Sequence, residues 1–310
     1  MMAYRNIKRN SGSITAGVDG KDIQYLEKLT SNELIYKVQS KFRWYVPKPV
    51  KRVEIPKVGD PTKTRPLGIP CIMDRLVQQC IKQVLEPIAE AKFYENSFGF
   101  RPNRSAENAI AVSMHHMTHA VLHFVVDADI KGFFDNVNHN KLMSQLWTMG
   151  IRDKKLLSII GAILKAPVVM PDYTKMKPDK GTPQGGILSP LLANIYLNEL
   201  DWWIATQWAE FPTNHNYTTK TSAHQSMRKY SNLKEMRIVR YADDFKIFCR
   251  TKRDAEIVYE AIVLWLKERL KLDVSPEKSG ITNLRKKYTD FLGIELKVRR
   301  KPEINVDRHI

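Results

Sequence analysis

Cysteine is scarce in this chain: three residues among 310, Cys71, Cys80 and Cys249, each set in an apolar segment. None forms a CxxC pair or stands beside a histidine cluster, which argues against a zinc ribbon or a disulfide framework. The pattern predicts buried free thiols in a reducing compartment, read as cytoplasmic. No apolar run approaches the roughly 20 residues needed to span a bilayer. The basic start, Met1-Met2-Ala3-Tyr4-Arg5-Asn6, lacks the apolar stretch of a secretory signal, so no membrane partner is expected. Internal repeats and low-complexity tracts are missing as well.

Acidic residues are outnumbered. Against 50 Lys and Arg stand 33 Asp and Glu, a formal net charge of +17. Such an excess fits a polyanion partner, because each phosphate neutralised by a cation releases counterions. The cations run from Arg5 to Arg308, which suits a long groove better than one docking patch. Scattered solvating lysines are the alternative reading. The 43% hydrophobic and 27% charged residues are ordinary for a folded protein. The length allows one large domain or two subdomains sharing an interface.

The pattern of apolar residues places the elements. Residues 1–45 form an N-terminal section with Gly12, Gly17 and Gly20 in polar turn sequence, then a helix from Ser31 or Asn32 to about Lys41. Pro47 to Pro70 reads as a strand hairpin turning at Gly59-Asp60-Pro61. Asp74 is expected to cap a helix whose stripe is Leu76, Val77, Cys80, Ile81, Val84, Leu85 and Ile88, and Ser105 to cap another reaching His119. Val121 to Asp129 is β-branched and aromatic, hence a strand. Helices follow at His139–Met149 and Asp153–Leu164, and a Gly- and Pro-rich turn at Gly181–Gly186 precedes a helix through Leu200. Residues 205–235 look like an exposed insertion, and Met236 to Arg250 like two strands around an acidic tip. Asp254 is expected to cap a helix with Ile257, Val258, Ala261, Ile262 and Trp265 inward, before short strands near Val274, Ile281 and Phe291–Val298. The sum predicts an α+β fold, an antiparallel sheet backed by helices.

Two segments place carboxylates where strands avoid them. Val239-Arg240-Tyr241-Ala242-Asp243-Asp244-Phe245-Lys246-Ile247 puts adjacent aspartates between apolar runs, where an unpaired buried carboxylate is costly. The tip also departs from the Asn-Gly or Asp-Gly of neutral hairpins. In Phe124-Val125-Val126-Asp127-Ala128-Asp129-Ile130-Lys131-Gly132-Phe133-Phe134-Asp135, alternation puts Asp127 and Asp129 on one face. Solvated turn aspartates are the bland alternative. Strand-borne aspartates from distant segments are what two-metal phosphoryl transfer needs, with two Mg²⁺ ions roughly 3.5–4 Å apart. Mg²⁺ prefers oxygen ligands, and no His or Cys set competes.

Tyr241-Ala242-Asp243-Asp244 resembles the YxDD box of reverse transcriptases, and Asp129 to Phe134 resembles their first aspartate motif. By that resemblance Asp129 and Asp243 would ligate two Mg²⁺ ions, with Asp244 beside them and the Ile130 carbonyl assisting. Asp127 is the rival for Asp129, which is preferred because an aromatic five residues later matches the family's steric gate. Phe134 would then lie under the sugar and select dNTP over NTP; a core aromatic is its alternative. Gly181-Thr182-Pro183-Gln184-Gly185-Gly186-Ile187-Leu188-Ser189-Pro190-Leu191 resembles the template- and nucleotide-binding motif, with Gln184 at the incoming nucleotide. Val53-Glu54-Ile55-Pro56-Lys57 and Thr64-Arg65-Pro66-Leu67-Gly68-Ile69-Pro70 resemble the fingers hairpin. There Lys57 and Arg65 would close on the triphosphate, with Lys63 an alternative. Pro276-Glu277-Lys278-Ser279 resembles the motif whose lysine protonates leaving pyrophosphate, making Lys278 the candidate acid. Phe291-Leu292-Gly293 is similar to the primer-grip hairpin.

Thr15-Ala16-Gly17-Val18-Asp19-Gly20, Ser97-Phe98-Gly99-Phe100-Arg101-Pro102 and Leu191-Leu192-Ala193-Asn194-Ile195-Tyr196-Leu197 narrow the resemblance to group II intron-encoded reverse transcriptase/maturases. It implies a right-hand polymerase with an N-terminal, RNA-binding extension of the fingers over residues 1–45, and fingers and palm over 46–310. The fingers would take mainly 46–120 and 140–180, and the palm mainly 85–100, 121–138 and 181–310. The thumb that follows in relatives is expected to be absent. Implied partners are group II intron RNA, an RNA template and primer, and dNTPs; implied roles are splicing and retrohoming. The sequence carries no signature of oligomeric state. A non-catalytic RNA-binding splicing factor on the same scaffold is the alternative. An RNA-dependent RNA polymerase is a third, opposed by Tyr-Ala-Asp-Asp in place of Gly-Asp-Asp and by Phe134.

Overall fold

The computed structural model describes residues 1–57 and 60–298. The first part contains α1 (Met2–Lys8), α2 (Ile23–Glu27), α3 (Ser31–Arg43), β1 (Val50–Lys57), β2 (Asp60–Ile69), α4 (Ile72–Glu90) and α5 (Ala106–Thr118). Next come β3 (Phe124–Asp127), α6 (Phe133–Asn136), α7 (His139–Thr148), α8 (Lys154–Leu164), β4 (Val168–Val169), β5 (Lys175–Met176) and α9 (Ser189–Gln207). The last part holds α10 (Lys220–Tyr230), β6 (Met236–Tyr241), β7 (Asp244–Cys249), α11 (Lys252–Trp265), β8 (Gly280–Asn283), β9 (Thr289–Phe291) and β10 (Ile294–Leu296).

Helix α1 is too short for a periodic signal and was not expected. It forms by burying Ala3 and Ile7, one turn apart, in a cluster with Ile72 and Leu76 of α4. Helix α3 starts on a capping box, in which Thr30 and Glu33 satisfy each other's backbone amides. Strands β1 and β2 pair antiparallel as the proline-rich pattern predicts, and β1 also runs parallel to β4, giving the order β2-β1-β4-β5. The turn placed at Gly59 lies outside the described residues.

Asp74 does not cap α4; Cys71 holds that position. The buried Asp74 carboxylate instead accepts from the Tyr45 hydroxyl at 3.1 Å and the Lys48 amide at 3.0 Å, tying the entry to β1 onto α4. Val84 and Ile88 complete the helical stripe but stay exposed, while Arg75 and Gln78 are buried by polar partners. Periodicity reports which residues share a face, and not how wide a neighbour covers it.

The second sheet has the order β6-β7-β3-β8, with β3 antiparallel to both neighbours. One face carries Val126, Ile238, Phe245 and Ile247 and packs on α9 and α11; the other carries Val125, Val239 and Phe248 and packs on α5 and the β9–β10 hairpin. The α+β expectation holds. The strand expected over 121–129 shortens to four residues, because Val121 adopts positive φ and the ladder stops at Asp127. Helix α9 runs past Leu200 to Gln207 and is buried on nearly every side, as expected for a helix inside a core.

Residues 205–235 are not an open insertion. Helix α10 starts on a Thr219/Ser222 box and buries His224 and Met227, and Arg228 and Arg250 both bond Glu235 at its far end. A single apolar residue per turn hides such a helix from periodicity. Thr251, not Asp254, caps α11 by accepting from the Asp254 amide at 3.1 Å, and Ile257 points outward. Cys71 and Cys249 are buried free thiols and Cys80 is half-buried.

Candidate active site

The acidic tip is a two-residue turn. Tyr241 pairs with Asp244 across β6 and β7, leaving Ala242 and Asp243 at the apex. Asp129 lies just beyond the end of β3, the adjacent strand. Its amide donates to Ser279 Oγ at 2.9 Å, its carbonyl accepts from the Ser275 amide at 2.8 Å, and Lys278 Nζ lies 3.8 Å from its carboxylate. Burial raises the Asp243 carboxyl above the usual range, and the negative charge of Asp129 raises it further. Asp129, Asp243 and Lys278, predicted from three separate motifs, therefore come together at one end of the sheet's strands.

Asp127 is occupied elsewhere. It is paired with Lys246 across β3 and β7, and its other oxygen accepts from Thr289 Oγ1 at 2.9 Å. Lys246 also stands over the Phe291 ring at 5.6 Å. Asp127 and Lys246 thus form a seam between the sheet and the β9–β10 hairpin, whereas Asp129 has only the looser, exposed ion pair with Lys278 at 3.8 Å. Neither Lys246 nor Ser279 was singled out from sequence, although a lysine in an apolar strand two residues past paired aspartates was a usable signal.

Asp244 keeps an edge open to solvent, yet the surrounding protein and the charges of Asp127, Asp243 and Asp290 push it up to about 6, against the opposing pull of Lys246. A carboxyl raised on folding binds more protons folded than unfolded. Its ionisation therefore weakens the fold as pH rises from the ordinary aspartate range through about 6. Asp244→Asn is expected to raise the melting temperature at pH 7.5 relative to the parent, with the gap closing toward pH 4; a gap independent of pH would contradict this.

The Gly-rich loop ties the hairpin sheet to α6. The Gly181 amide donates to Val137 O and the Thr182 amide to Phe134 O, both at 2.7 Å, while the Gly68 amide of β2 donates to Gln184 O at 2.5 Å. Gly185 has φ +100°, and a Cβ there would lie 2.7 Å from Gly68 O, so only glycine fits between loop and hairpin. Phe134 is half-buried, edge-on to Phe133 at 5.3 Å between ring centres. A cavity of about 300 Å³ opens beside the loop, lined by Gln184, Thr182, Gly68, Asp135 and Arg52 among others. A larger groove between α9 and α11, lined by Trp202, Trp203 and Trp265, contains none of the predicted residues.

Arg65 is exposed on β2 opposite Ile55, on the hairpin sheet and not beside the carboxylates. Lys57 ends β1, but its side chain and that of Lys63 lie outside the described residues.

Among the described residues no three His, Cys, Asp or Glu side chains form a group able to hold a metal by themselves. Mg²⁺ does not require one: it commonly takes one or two carboxylates and completes its shell with water and substrate phosphates. The all-oxygen pair Asp129 and Asp243, close enough for the charge of Asp129 to raise the Asp243 carboxyl, fits such an ion. Ile130, bridged to Val274 beside them, places a main-chain carbonyl in the same neighbourhood.

Residues 55–296 match the family model of reverse transcriptase (RNA-dependent DNA polymerase). The chain is 34% identical to the group II intron-encoded protein LtrA of Lactococcus lactis subsp. cremoris, over 98% of this chain and 55% of LtrA. It is 32% identical to protein YkfC of Escherichia coli, over 95% of this chain and 79% of that one. It spans little more than half of LtrA. Among solved structures, telomerase from Candida tropicalis superposes with a TM-score of 0.57 at 13% identity, covering 89% of this chain and 52% of that chain, which speaks to the fold alone. The α+β architecture is accordingly that of a fingers–palm polymerase fold. This chain belongs to the reverse transcriptase family, in its group II intron-encoded branch.

Proposed function

We propose that this chain is the RNA-directed DNA polymerase part of a group II intron maturase. In that role it extends a primer on an RNA template with dNTPs. The observation that carries the reading is the approach of Asp129 and Asp243, from distant segments, at one end of the palm sheet's strands. Two bound Mg²⁺ ions would lower the pKa of the primer 3′-OH and stabilise the departing oxygen. Asp129, Asp243 and the Ile130 carbonyl would hold them, with Asp244 beside them as a further ligand. In the transfer itself the 3′ oxygen forms a bond to the α-phosphorus, and the bond to pyrophosphate breaks. Lys278, exposed and 3.8 Å from Asp129, is positioned to give its proton to that leaving group. Phe134 would sit under the sugar, Gln184 beside the nucleotide, and Arg65 with Lys57 would close from the fingers onto the triphosphate. The test is primer extension on an RNA template with Mg²⁺, comparing dNTPs with NTPs; RNA binding without extension would leave the splicing-factor reading in its place.

The same reading assigns residues 1–45 to RNA binding, as an extension of fingers spread over 46–120 and 140–180. The palm spans mainly 85–100, 121–138 and 181–310. Intron RNA is the partner this implies, in splicing and retrohoming. The +17 net charge supports a polyanion partner. Deleting residues 1–45 is expected to weaken intron RNA binding and to flatten its dependence on salt; an unchanged affinity across a salt series would reject the assignment. The deletion also removes Ile7 from its contact with α4, so retention of the parent's circular dichroism is the control.

A further inference from the structure

We infer that Arg240, held by Asp201 and Asn194, is a positioning residue that sets the metal-binding geometry of Asp243. The inference rests on the polymerase reading of the site but concerns groups outside the motifs that define it. Arg240 is the penultimate residue of β6, one before Tyr241 and the tip, and is completely buried, as are Asp201 and Asn194 of α9. A guanidinium in the middle of an apolar strand has a high desolvation cost and persists only with a full set of partners. It has them. Nε donates to both Asp201 oxygens at 2.8 and 3.0 Å, and Nη2 donates to Asp201 Oδ2 at 2.6 Å. Nη1 divides its two protons between Asn194 Oδ1 at 2.9 Å and the Ala242 carbonyl at 2.6 Å.

That last contact reaches the peptide unit joining Ala242 to Asp243. Ala242 has φ +59°, a left-handed conformation that disfavours any residue with a Cβ. Such a conformation survives only where its surroundings over-determine it. Here they act from two sides. The Arg240 guanidinium pulls on the Ala242 carbonyl, and Gly99 presses against the Ala242 amide so closely that a Cβ at 99 would come within 2.2 Å of it. The two supports are joined, because Asn194 Nδ2 donates to the Gly99 carbonyl at 2.7 Å. The backbone of Arg240 completes the clamp: its amide donates to Asn96 O at 2.9 Å and its carbonyl accepts from the Phe98 amide at 2.8 Å. Helix α9 and the segment before Gly99 thus fix the turn from behind, and the Asp243 carboxylate is aimed by a network that never touches substrate.

The test separates aiming from mere stability. Arg240→Lys keeps the charge against Asp201 but cannot reach Asp201, Asn194 and Ala242 together. Asn194→Ala leaves the Arg240–Asp201 pair intact and removes the two Asn194 hydrogen bonds, to Arg240 Nη1 and to the Gly99 carbonyl. Mn²⁺ binding to the protein, followed by paramagnetic resonance with Asp243→Asn as the reference, reads the site without turnover. Supporting groups around metal ligands typically affect affinity by about 10–100-fold. The Mn²⁺ midpoint is expected to rise by about that factor in Arg240→Lys and by less in Asn194→Ala. The kcat for single-nucleotide addition should fall in parallel, while template–primer affinity and the KM for dNTP hold. Should Arg240→Lys fail to fold, Asn194→Ala carries the test. An unchanged Mn²⁺ midpoint in the folded variants, with only a lower melting temperature, overturns the inference. So does Mn²⁺ binding by the parent that is indifferent to Asp243→Asn. A parent that binds Mn²⁺ through Asp243 yet never extends a primer would defeat the polymerase reading alone.

Discussion

Asp243→Asn and Asp129→Asn are each expected to abolish primer extension, by about 10²–10³-fold or more, while leaving the melting temperature equal to or above that of the parent. Asparagine keeps the shape and the turn but removes the charge that would bind an ion. Because burial and the charge of Asp129 already disfavour ionised Asp243, losing that charge relieves repulsion and does not weaken the fold. Asp127→Asn should behave in the opposite way. It would leave Lys246 buried without its counter-charge and is expected to cost about 1–3 kcal/mol of stability. Its effect on extension should be smaller than that of Asp129→Asn at temperatures where the variant is folded. Primer extension run beside thermal melts decides between the two aspartates. If Asp127→Asn were stable and dead while Asp129→Asn stayed active, the assignment of the first carboxylate would be reversed.

The second large effect is on sugar choice. Phe134→Ala is expected to raise ribonucleotide incorporation relative to deoxyribonucleotide by about 10²-fold, the scale on which a shaped pocket discriminates one hydroxyl. The backbone at this position is pinned, since Phe134 O accepts from the Thr182 amide of the Gly-rich loop, so the truncation should leave the loop in place. A half-buried ring edge-on to Phe133 also contributes packing, and some loss of thermal stability accompanies the change. Single-turnover incorporation of matched dNTP and NTP measures the ratio directly. A fall in melting temperature with an unchanged ratio would make Phe134 a core aromatic and nothing more.

Much of this was legible without coordinates, for identifiable reasons. Carboxylates in apolar strands conflict with burial, so Asp129, Asp243 and Asp244 stood out from their surroundings. Two apolar runs around an acidic tip reported β6 and β7 correctly, because both faces of that sheet are buried and such strands read as continuous apolar stretches. Helices with a side-chain cap and a wide apolar face, such as α5 and α8, were placed to within a residue or two.

The sequence by itself determined the α+β class, the carboxylates set among apolar strand sequence (Asp129 and Asp243 in fact stand just past the strand ends), the Gly-rich loop and the resemblance that the family match bears out. All of these are local: they depend on composition and spacing within a dozen or so residues. The tertiary structure alone decided which partner each charge receives. Asp127 and Asp129 are near-identical in sequence terms, and only the pairing of β3 with β7 and the approach of Thr289 commit one to Lys246 and leave the other beside Asp243. Asp74 and Asp254 read as caps, yet the first was drawn into a contact with Tyr45 and Lys48 and the second was displaced by Thr251. Arg240, Asp201 and Asn194 lie far apart in the chain, and each alone reads as a misplaced polar residue. Electrostatic and hydrogen-bond energies depend on separations of a few ångströms, and across long stretches of chain those separations exist only once the sheet and helix α9 have packed.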